Sequence, residues 1–438
     1  MHDLVQDDDP EQPSPVVGPT RPRLFKILGP GLITGASDDD PSGIATYSQA
    51  GAQFGYGLSW TMLFSFPLMA AVQMISARIG RTTGHGIAGV LRLHYPQWLL
   101  TVVVMLLLVA NVINLGADLG AMADALALLL PAPKFFYVLL FAAICVSLQV
   151  FLQYARYVAV LKWLTAALLA YVVSAAVVGV DWGALAWSVA WPRIEWKQEY
   201  LTALVAIFGT TISPYLFFWQ AAEEVEDIHV YPKRTELVRA PRQAKAALQR
   251  IELDTLVGMA FSNLIALAII LTTAATLGAH GITDIQTSAQ AAEALKPIAG
   301  RAAYTVFTIG IIGTGLLAVP VLAGSAAYAI GEAREWPTGL GRAPKEAQAF
   351  YATLVIATLI GMIVNFTPID PIRALYWSAV INGVVAVPVM AVMMLLASRA
   401  DIMGAFAIRG WLRWLGWAAT AVMAVIVAAM LGTTNWGG

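Results

Sequence analysis

The chain is 438 residues long, 59% hydrophobic and only 12% charged, with a formal net charge of −1 and a mean hydropathy of +0.71. Soluble globular domains carry about 25% charged residues, so this composition excludes a soluble fold and describes a polytopic membrane protein. A single cysteine, Cys145, excludes an intrachain disulfide framework and a multi-cysteine metal centre, and no basic run offers a footprint for nucleic acid.

In chain order, residues 1–22 carry Asp7, Asp8 and Asp9 among prolines with little apolar content, the composition of a disordered tail and not of a secretory signal peptide. An apolar window of about twenty residues, the length that crosses a bilayer, then finds about eleven spans: 27–54, 57–77, 98–130, 135–155, 158–180, 200–222, 254–278, 303–331, 347–366, 374–397 and 411–432. Residues 23–400 read as one core with halves 27–180 and 200–397, and 401–438 add one further span. With the N-terminus in the cytoplasm, only Lys134, Arg193, Lys197, Lys296, Arg301 and Arg373 of the 26 lysines and arginines fall outside. That bias follows the positive-inside rule, supports the count, and puts the C-terminus on the extracytoplasmic side of a multi-pass cell-membrane protein.

The first span does not read as an ordinary helix, because Asp38, Asp39 and Asp40 sit in its middle, followed by Pro41 and Gly43. Carboxylates at membrane depth cost several kcal/mol unless they meet water, a partner or a cation. Pro41 has no N–H to give and Gly43 tolerates most backbone angles, so two half-helices with an unwound joint are expected. Carboxylates and bare carbonyls at such a joint suit a hard cation. The plainer reading is that Asp40 only caps the helix that Pro41 begins; capping and cation contact are compatible.

The sixth span is interrupted in the same way by Thr210, Thr211, Ile212, Ser213 and Pro214. It lies five spans from the first and therefore enters the membrane from the opposite side. A five-plus-five inverted repeat with a midplane site between two discontinuous helices predicts this arrangement. Elsewhere Asp118 and Asp124 lie in the third span, and Glu223, Glu224, Glu226 and Asp227 crowd the inner end of the sixth, either as an acidic vestibule or as a solvated helix end.

Several runs resemble the NRAMP family of divalent-metal transporters: Gly29-Pro-Gly with Asp40-Pro41, the stretch Gln73 to Gly84 followed by Tyr95-Pro96, Gly209 to Pro214, Asp254-Thr255, and Asp284-Ile285-Gln286. The resemblance covers about residues 25–400 and implies an all-α, LeuT-type fold with about 11 transmembrane helices. Carried over by residue, the family's motif aspartate is Asp40, its motif asparagine falls on Gly43, and its methionine ligand falls on Ser213. Its two sixth-span histidines fall on Tyr215 and Gln220, and the acidic pair of its proton route on Asn114 and Ala117. Replacing a thioether by a hydroxyl and adding carboxylates favours Mn²⁺ or Mg²⁺ over softer ions, and loss of the titrating relay argues against proton coupling by that route.

The expectation is thus a secondary transporter of divalent cations, not an enzyme, with the metal as cargo and no cofactor. Its metal ligands would be the Asp40 carboxylate, the carbonyls near Ser37 and Thr210, and the Ser213 hydroxyl, with Asp39, Asp38 and the Asn382 amide as further candidates. Two alternatives stay open: an organic or cationic solute carried on the same scaffold, and an intramembrane aspartyl enzyme or sensor built on Asp40 and Asp118. The oligomeric state and the identity of the cation are not written in these residues.

Overall fold

The computed structural model describes residues 34–35, 37–151, 168–230, 233–367 and 370–433. The tail at 1–22, the start of the first span and much of the fifth fall outside them. Among the described residues there is no strand. The main helices are α1 (Pro41–Phe54), α2 (Trp60–Thr83), α3 (Ile87–His94), α4 (Gln97–Ala127), α5 (Lys134–Phe151), α6 (Leu169–Val177) and α7 (Trp182–Ala190). They continue with α8 (Gln198–Thr211), α9 (Pro214–Val230), α10 (Ala244–Ala275), α11 (Ala303–Arg334), α12 (Gln348–Ile363), α13 (Pro371–Ser398) and α14 (Gly410–Thr433).

Among the described residues, 9 helical segments are long and apolar enough to cross a membrane, counting α8 and α9 together as Gln198–His229. They coincide with nine of the eleven expected spans; the first and fifth are described only in part, as α1 and α6. Two boundaries differ from expectation. The second span runs on past Arg78 to Thr83, and the seventh, expected from about 254, is already helical from Ala244. Hydropathy marks where a helix is apolar, not where its hydrogen bonds stop, so polar helix ends escape it. Beyond the fifth span the chain bends by 113° into α7, whose residues are none of them buried and whose exposed Trp182 and Trp187 suit a membrane–water interface.

The layering follows from which faces are apolar. Every residue of the most apolar stretch of Gln198–His229 is buried, against 33% for α5, for α12 and for α14. The broken sixth span is therefore central, and these three face lipid. Small residues set the close crossings, as expected where helices pack without a hydrophobic drive. A Cβ at Gly209 of α8 would lie 2.5 Å from the Gly383 nitrogen of α13, and one at Gly80 of α2 would lie 2.9 Å from the Ala221 carbonyl carbon of α9. The Ser76 hydroxyl adds a bond to the Phe217 carbonyl. These contacts hold both halves of the sixth span against the scaffold with the break between them.

Candidate metal centre

Both breaks have one backbone cause. In a helix the carbonyl of residue i accepts from the N–H of i+4, and proline has none. Pro41 therefore orphans the Ser37 carbonyl, and Pro214 orphans the Thr210 carbonyl. The chain is helical at Thr34, Gly35, Ser37 and Asp38, bends at Asp39, is extended at Asp40 (φ −66°, ψ 171°), and restarts at Pro41. The sixth span leaves helix at Ile212 (φ −125°, ψ 59°) and restarts at Pro214.

Hydroxyl groups answer the two orphans. Tyr215 Oη donates to the Ser37 carbonyl at 3.2 Å and lies 3.4 Å from Asp40 Oδ2. Ser213 Oγ lies 2.9 Å from the Thr210 carbonyl and 2.7 Å from that of Gly209. Buried carbonyls at membrane depth need such partners. The oxygens expected to meet a cation are thus covered here by the protein's own O–H groups, and the Ser213 hydroxyl spends its proton on α8.

Asp40 does cap α1: its Oδ1 accepts from the Gly43 N–H at 2.7 Å and the Ser42 hydroxyl at 2.9 Å. Its Oδ2 accepts from Asn114 Nδ2 of α4 at 3.0 Å, and Asn114 Oδ1 accepts from Ser378 Oγ of α13 at 2.6 Å. A run of polar contacts thus crosses α13, α4, the first break and α9. Asn114 shares the inward face of α4 with Asn111 and Asp118, all fully buried. Asn111 Nδ2 reaches the Leu322 carbonyl at 2.9 Å and Ser325 Oγ at 2.7 Å, whereas neither Asp118 oxygen has a hydrogen-bond partner. Asp40 and Asp118 therefore do not form the directly bonded pair that an aspartyl enzyme would need.

Asp38 and Asp39 point elsewhere. Ser262 Oγ of α10 lies 2.5 Å from Asp38 Oδ2 and 3.2 Å from Asp39 Oδ1. Among the described residues no three His, Cys, Asp or Glu side chains converge on one point, so the acidic triplet does not surround a single ion. Gly43, where the family pattern has asparagine, is tightly packed between its own span and the sixth: a Cβ there would lie 3.1 Å from the Asp38 carbonyl oxygen and 3.2 Å from Thr210 Oγ1. Asn382 on α13 is 1% exposed with its amide oxygen and nitrogen unbonded.

The acidic end of the sixth span, expected on the inner side, is neither a vestibule nor solvated. Glu223, Glu224 and Asp227 are fully buried. Glu224 pairs with Arg250 at 2.5 Å, Asp227 with Arg234 at 2.8 Å, and Glu226 accepts from Tyr328 Oη at 3.0 Å and the Gly341 N–H at 2.7 Å. On the opposite face a cavity of about 490 Å³ opens among α1, α8 and α13, lined by Gln49, Gln53, Glu199, Asp284 and Arg373 and reaching down to Ala45 and Thr202. Ala45 is five residues above Asp40, roughly 7 Å along a helix.

Sequence reasoning did not place Asn114, Tyr215 or Ser262 among the site residues. Tyr215 follows Pro214 directly, and a polar side chain at a break was its signal; Ser262 gave none.

This fold, with oxygen-rich breaks in two spans meeting between buried helices, is that of a multi-pass membrane transporter of the broken-helix class. The chain belongs to the natural resistance-associated macrophage protein-like family, whose model matches residues 31–433. It is 26% identical over 420 residues to the divalent metal cation transporter MntH of Deinococcus radiodurans, covering 94% of this chain and 90% of that protein. The MntH of Klebsiella pneumoniae is 26% identical over 429 residues, covering 93% and 95%. Among solved structures, the Eremococcus coleocola manganese transporter in complex with an aromatic bis-isothiourea compound superposes with a TM-score of 0.71 at 17% identity, covering 98% of this chain and 92% of that one. MhsT in complex with L-phenylalanine gives 0.53 at 14% identity, covering 92% and 98%. These likenesses in structure show the shared fold.

Proposed function

We propose that the chain carries divalent metal cations across the cell membrane by alternating access, with Mn²⁺ or Mg²⁺ favoured over Fe²⁺. The observation that carries this reading is the pair of proline-orphaned carbonyls, Ser37 sharing the Tyr215 hydroxyl with the Asp40 carboxylate and Thr210 held by Ser213, each covered by a hydroxyl that a cation can displace. The names borne by the two MntH relatives support the same class of cargo. Oxygen donors without a thioether suit hard ions, and a dication would take Asp40, the two carbonyls and Ser213 Oγ, keeping some of its water. Asn382, with its amide unengaged, is the further candidate.

With the N-terminus cytoplasmic, the cavity beside Gln53 and Asp284 faces outward, and the ion pairs of Glu224 and Asp227 close the inner side. Transport then proceeds without the family's proton route, whose groups are replaced by Tyr215, Gln220, Asn114 and Ala117. The test is purified protein in liposomes containing a divalent-cation indicator and a pH dye. Entry of Mn²⁺ or Mg²⁺ without lumenal acidification is expected; acidification in step with metal entry would refute the uncoupled reading, and no divalent entry would refute the cargo.

A further inference from the structure

From Trp182 to Trp196 the chain runs through α7 and the segment after it, where Trp182, Trp187, Trp191, Ile194 and Trp196 are all exposed. No residue of α7 is buried. A helix so apolar and so bare is stable with its side chains in the boundary between headgroups and acyl chains, the depth at which tryptophan collects. The segment therefore lies along a membrane surface. It does so on the face of the 490 Å³ cavity, since Phe54 and Tyr200 beside it adjoin Gln53 and Glu199 of that cavity.

A separate cavity of about 320 Å³ opens between this segment and the ends of two spans. Trp187 and Trp191 of and just after α7, Arg193, Glu195, Phe54 at the end of α1 and Tyr200 in the first turn of α8 line it. The two indoles stack with ring centres 6.3 Å apart, and Phe54 meets Tyr200 edge to face at 5.6 Å. Arg193 and Glu195 are the only charged residues from Trp182 to Trp196; they are of opposite sign, and both line the cavity. Arg193 joins no ion pair among the described residues. Glu195 lies 2.8 Å from Lys197, but these side chains are 48% and 72% exposed, so the pair is weak and readily exchanged.

The chemistry of these walls selects a ligand. A guanidinium holds a phosphate through its fork of N–H donors, while a carboxylate and aromatic faces hold an ammonium. At headgroup depth, a cavity that offers both matches a phospholipid whose headgroup carries both charges. An anionic headgroup would satisfy Arg193 alone and be repelled by Glu195.

We propose that this cavity binds the headgroup of a zwitterionic phospholipid, of the phosphatidylethanolamine type, drawn from the leaflet on that face. Its phosphate meets Arg193, its ammonium meets Glu195 and the indoles, and its acyl chains follow the bare side of α7. The walls include the ends of α1 and α8, the halves of the two broken spans on this face, so the lipid ties both to the interfacial helix. The protein's own tie is slight: among the described residues one hydrogen bond, from the Asp181 N–H to Tyr56 Oη at 3.3 Å, joins the start of α7 to the turn after α1. The inference is independent of which cargo the chain carries.

The experiment is native mass spectrometry of the purified full-length chain in detergent, titrated with phosphatidylethanolamine or phosphatidylglycerol of the same acyl chains, with thermal melting checked for each variant. Wild type should retain one phosphatidylethanolamine per chain and prefer it about tenfold or more, the worth of one hydrogen-bonded charge. Arg193→Gln should weaken both lipids about tenfold, whereas Glu195→Gln should weaken phosphatidylethanolamine alone and erase the preference. Hydrogen–deuterium exchange should show residues 54–58 and 198–202 protected by phosphatidylethanolamine in wild type and not in Arg193→Gln. Equal retention of the two lipids by wild type would overturn the site without recourse to any variant, because α7 would then take acyl chains without reading a headgroup. A preference that survives Glu195→Gln would overturn the zwitterionic assignment, and binding without protection would overturn the tie to α1 and α8.

Discussion

Gly43→Ala tests whether the first and sixth spans pack as closely as described. The new Cβ would stand 3.1 Å from the Asp38 carbonyl oxygen, 3.2 Å from Thr210 Oγ1 and 3.4 Å from a Tyr47 ring carbon. The Tyr47 contact is ordinary and Thr210 can turn about χ1, but the Asp38 carbonyl is backbone, so the unwound segment itself must shift by a few tenths of an ångström. Glycine to alanine within a helix otherwise gains about 0.5–1 kcal/mol, while overpacking a tight site costs about 1–3 kcal/mol. The expected sum is a net loss of about 1 kcal/mol. The shift also displaces the Ser37 carbonyl and Asp40 from their geometry, so Mn²⁺ affinity should fall about 10–100-fold, as when a supporting contact of a metal centre is lost. Thermal melting in detergent and Mn²⁺ titration calorimetry read the two effects. Gly43→Asn carries the same Cβ plus an amide oxygen, and should recover part of the affinity that alanine loses. An alanine variant that melts higher and binds Mn²⁺ as wild type does would refute the close junction.

Asp40→Asn should keep the helix cap, since asparagine caps as well as aspartate, yet abolish Mn²⁺ uptake; uptake near the wild-type rate would remove the carboxylate from the ion's path. Glu226→Ala strands the buried Tyr328 hydroxyl and the Gly341 N–H, a cost of about 1–3 kcal/mol. It should also raise the accessibility of a Ser213→Cys thiol to impermeant reagents from the face that carries Glu226, cytoplasmic in the proposed orientation; unchanged labelling would show that Glu226 does not help close that face. Asn111→Leu removes two contacts between α4 and α11 and, at the modest worth of interhelical bonds in membranes, should cost about 0.6–1.7 kcal/mol, visible as lower thermal stability with Mn²⁺ affinity retained.

The architecture was legible because bilayer physics is severe. Long apolar runs, basic residues on one side and prolines in two spans five apart leave few alternatives. The site was legible where chemistry lay in the backbone, at Pro41 and Pro214, whose missing N–H groups fix which carbonyls are stranded. It was not legible where side chains from distant spans complete it. Three consecutive aspartates cannot all face one point, and which way each turns depends on Asn114 of α4 and Ser262 of α10, more than 70 and 220 positions away. The acids at the end of the sixth span show the same limit. Nothing local to Glu224 or Asp227 announces that Arg250 and Arg234 return to bury them.

The hydroxyls at the breaks bear on the transport cycle. A carrier must pass through a cation-free state to reset, and a broken span without its ion would leave bare carbonyls at membrane depth. Tyr215 removes that penalty at Ser37 only when the ion is absent, because a bound cation would take the same carbonyl and the same Asp40 oxygen. Tyr215→Phe should therefore destabilise the empty state by the cost of one stranded carbonyl, about 1–3 kcal/mol, and leave the loaded state nearly unchanged. Binding starts from that empty state, so its destabilisation tightens Mn²⁺ binding: about 1.4 kcal/mol is a factor of ten in affinity, and titration calorimetry of Tyr215→Phe should read a dissociation constant about tenfold lower than that of wild type. A dissociation constant unchanged or raised would refute this division, because it would mean that the phenol does not cover the carbonyl in the empty state or that it also contacts the ion.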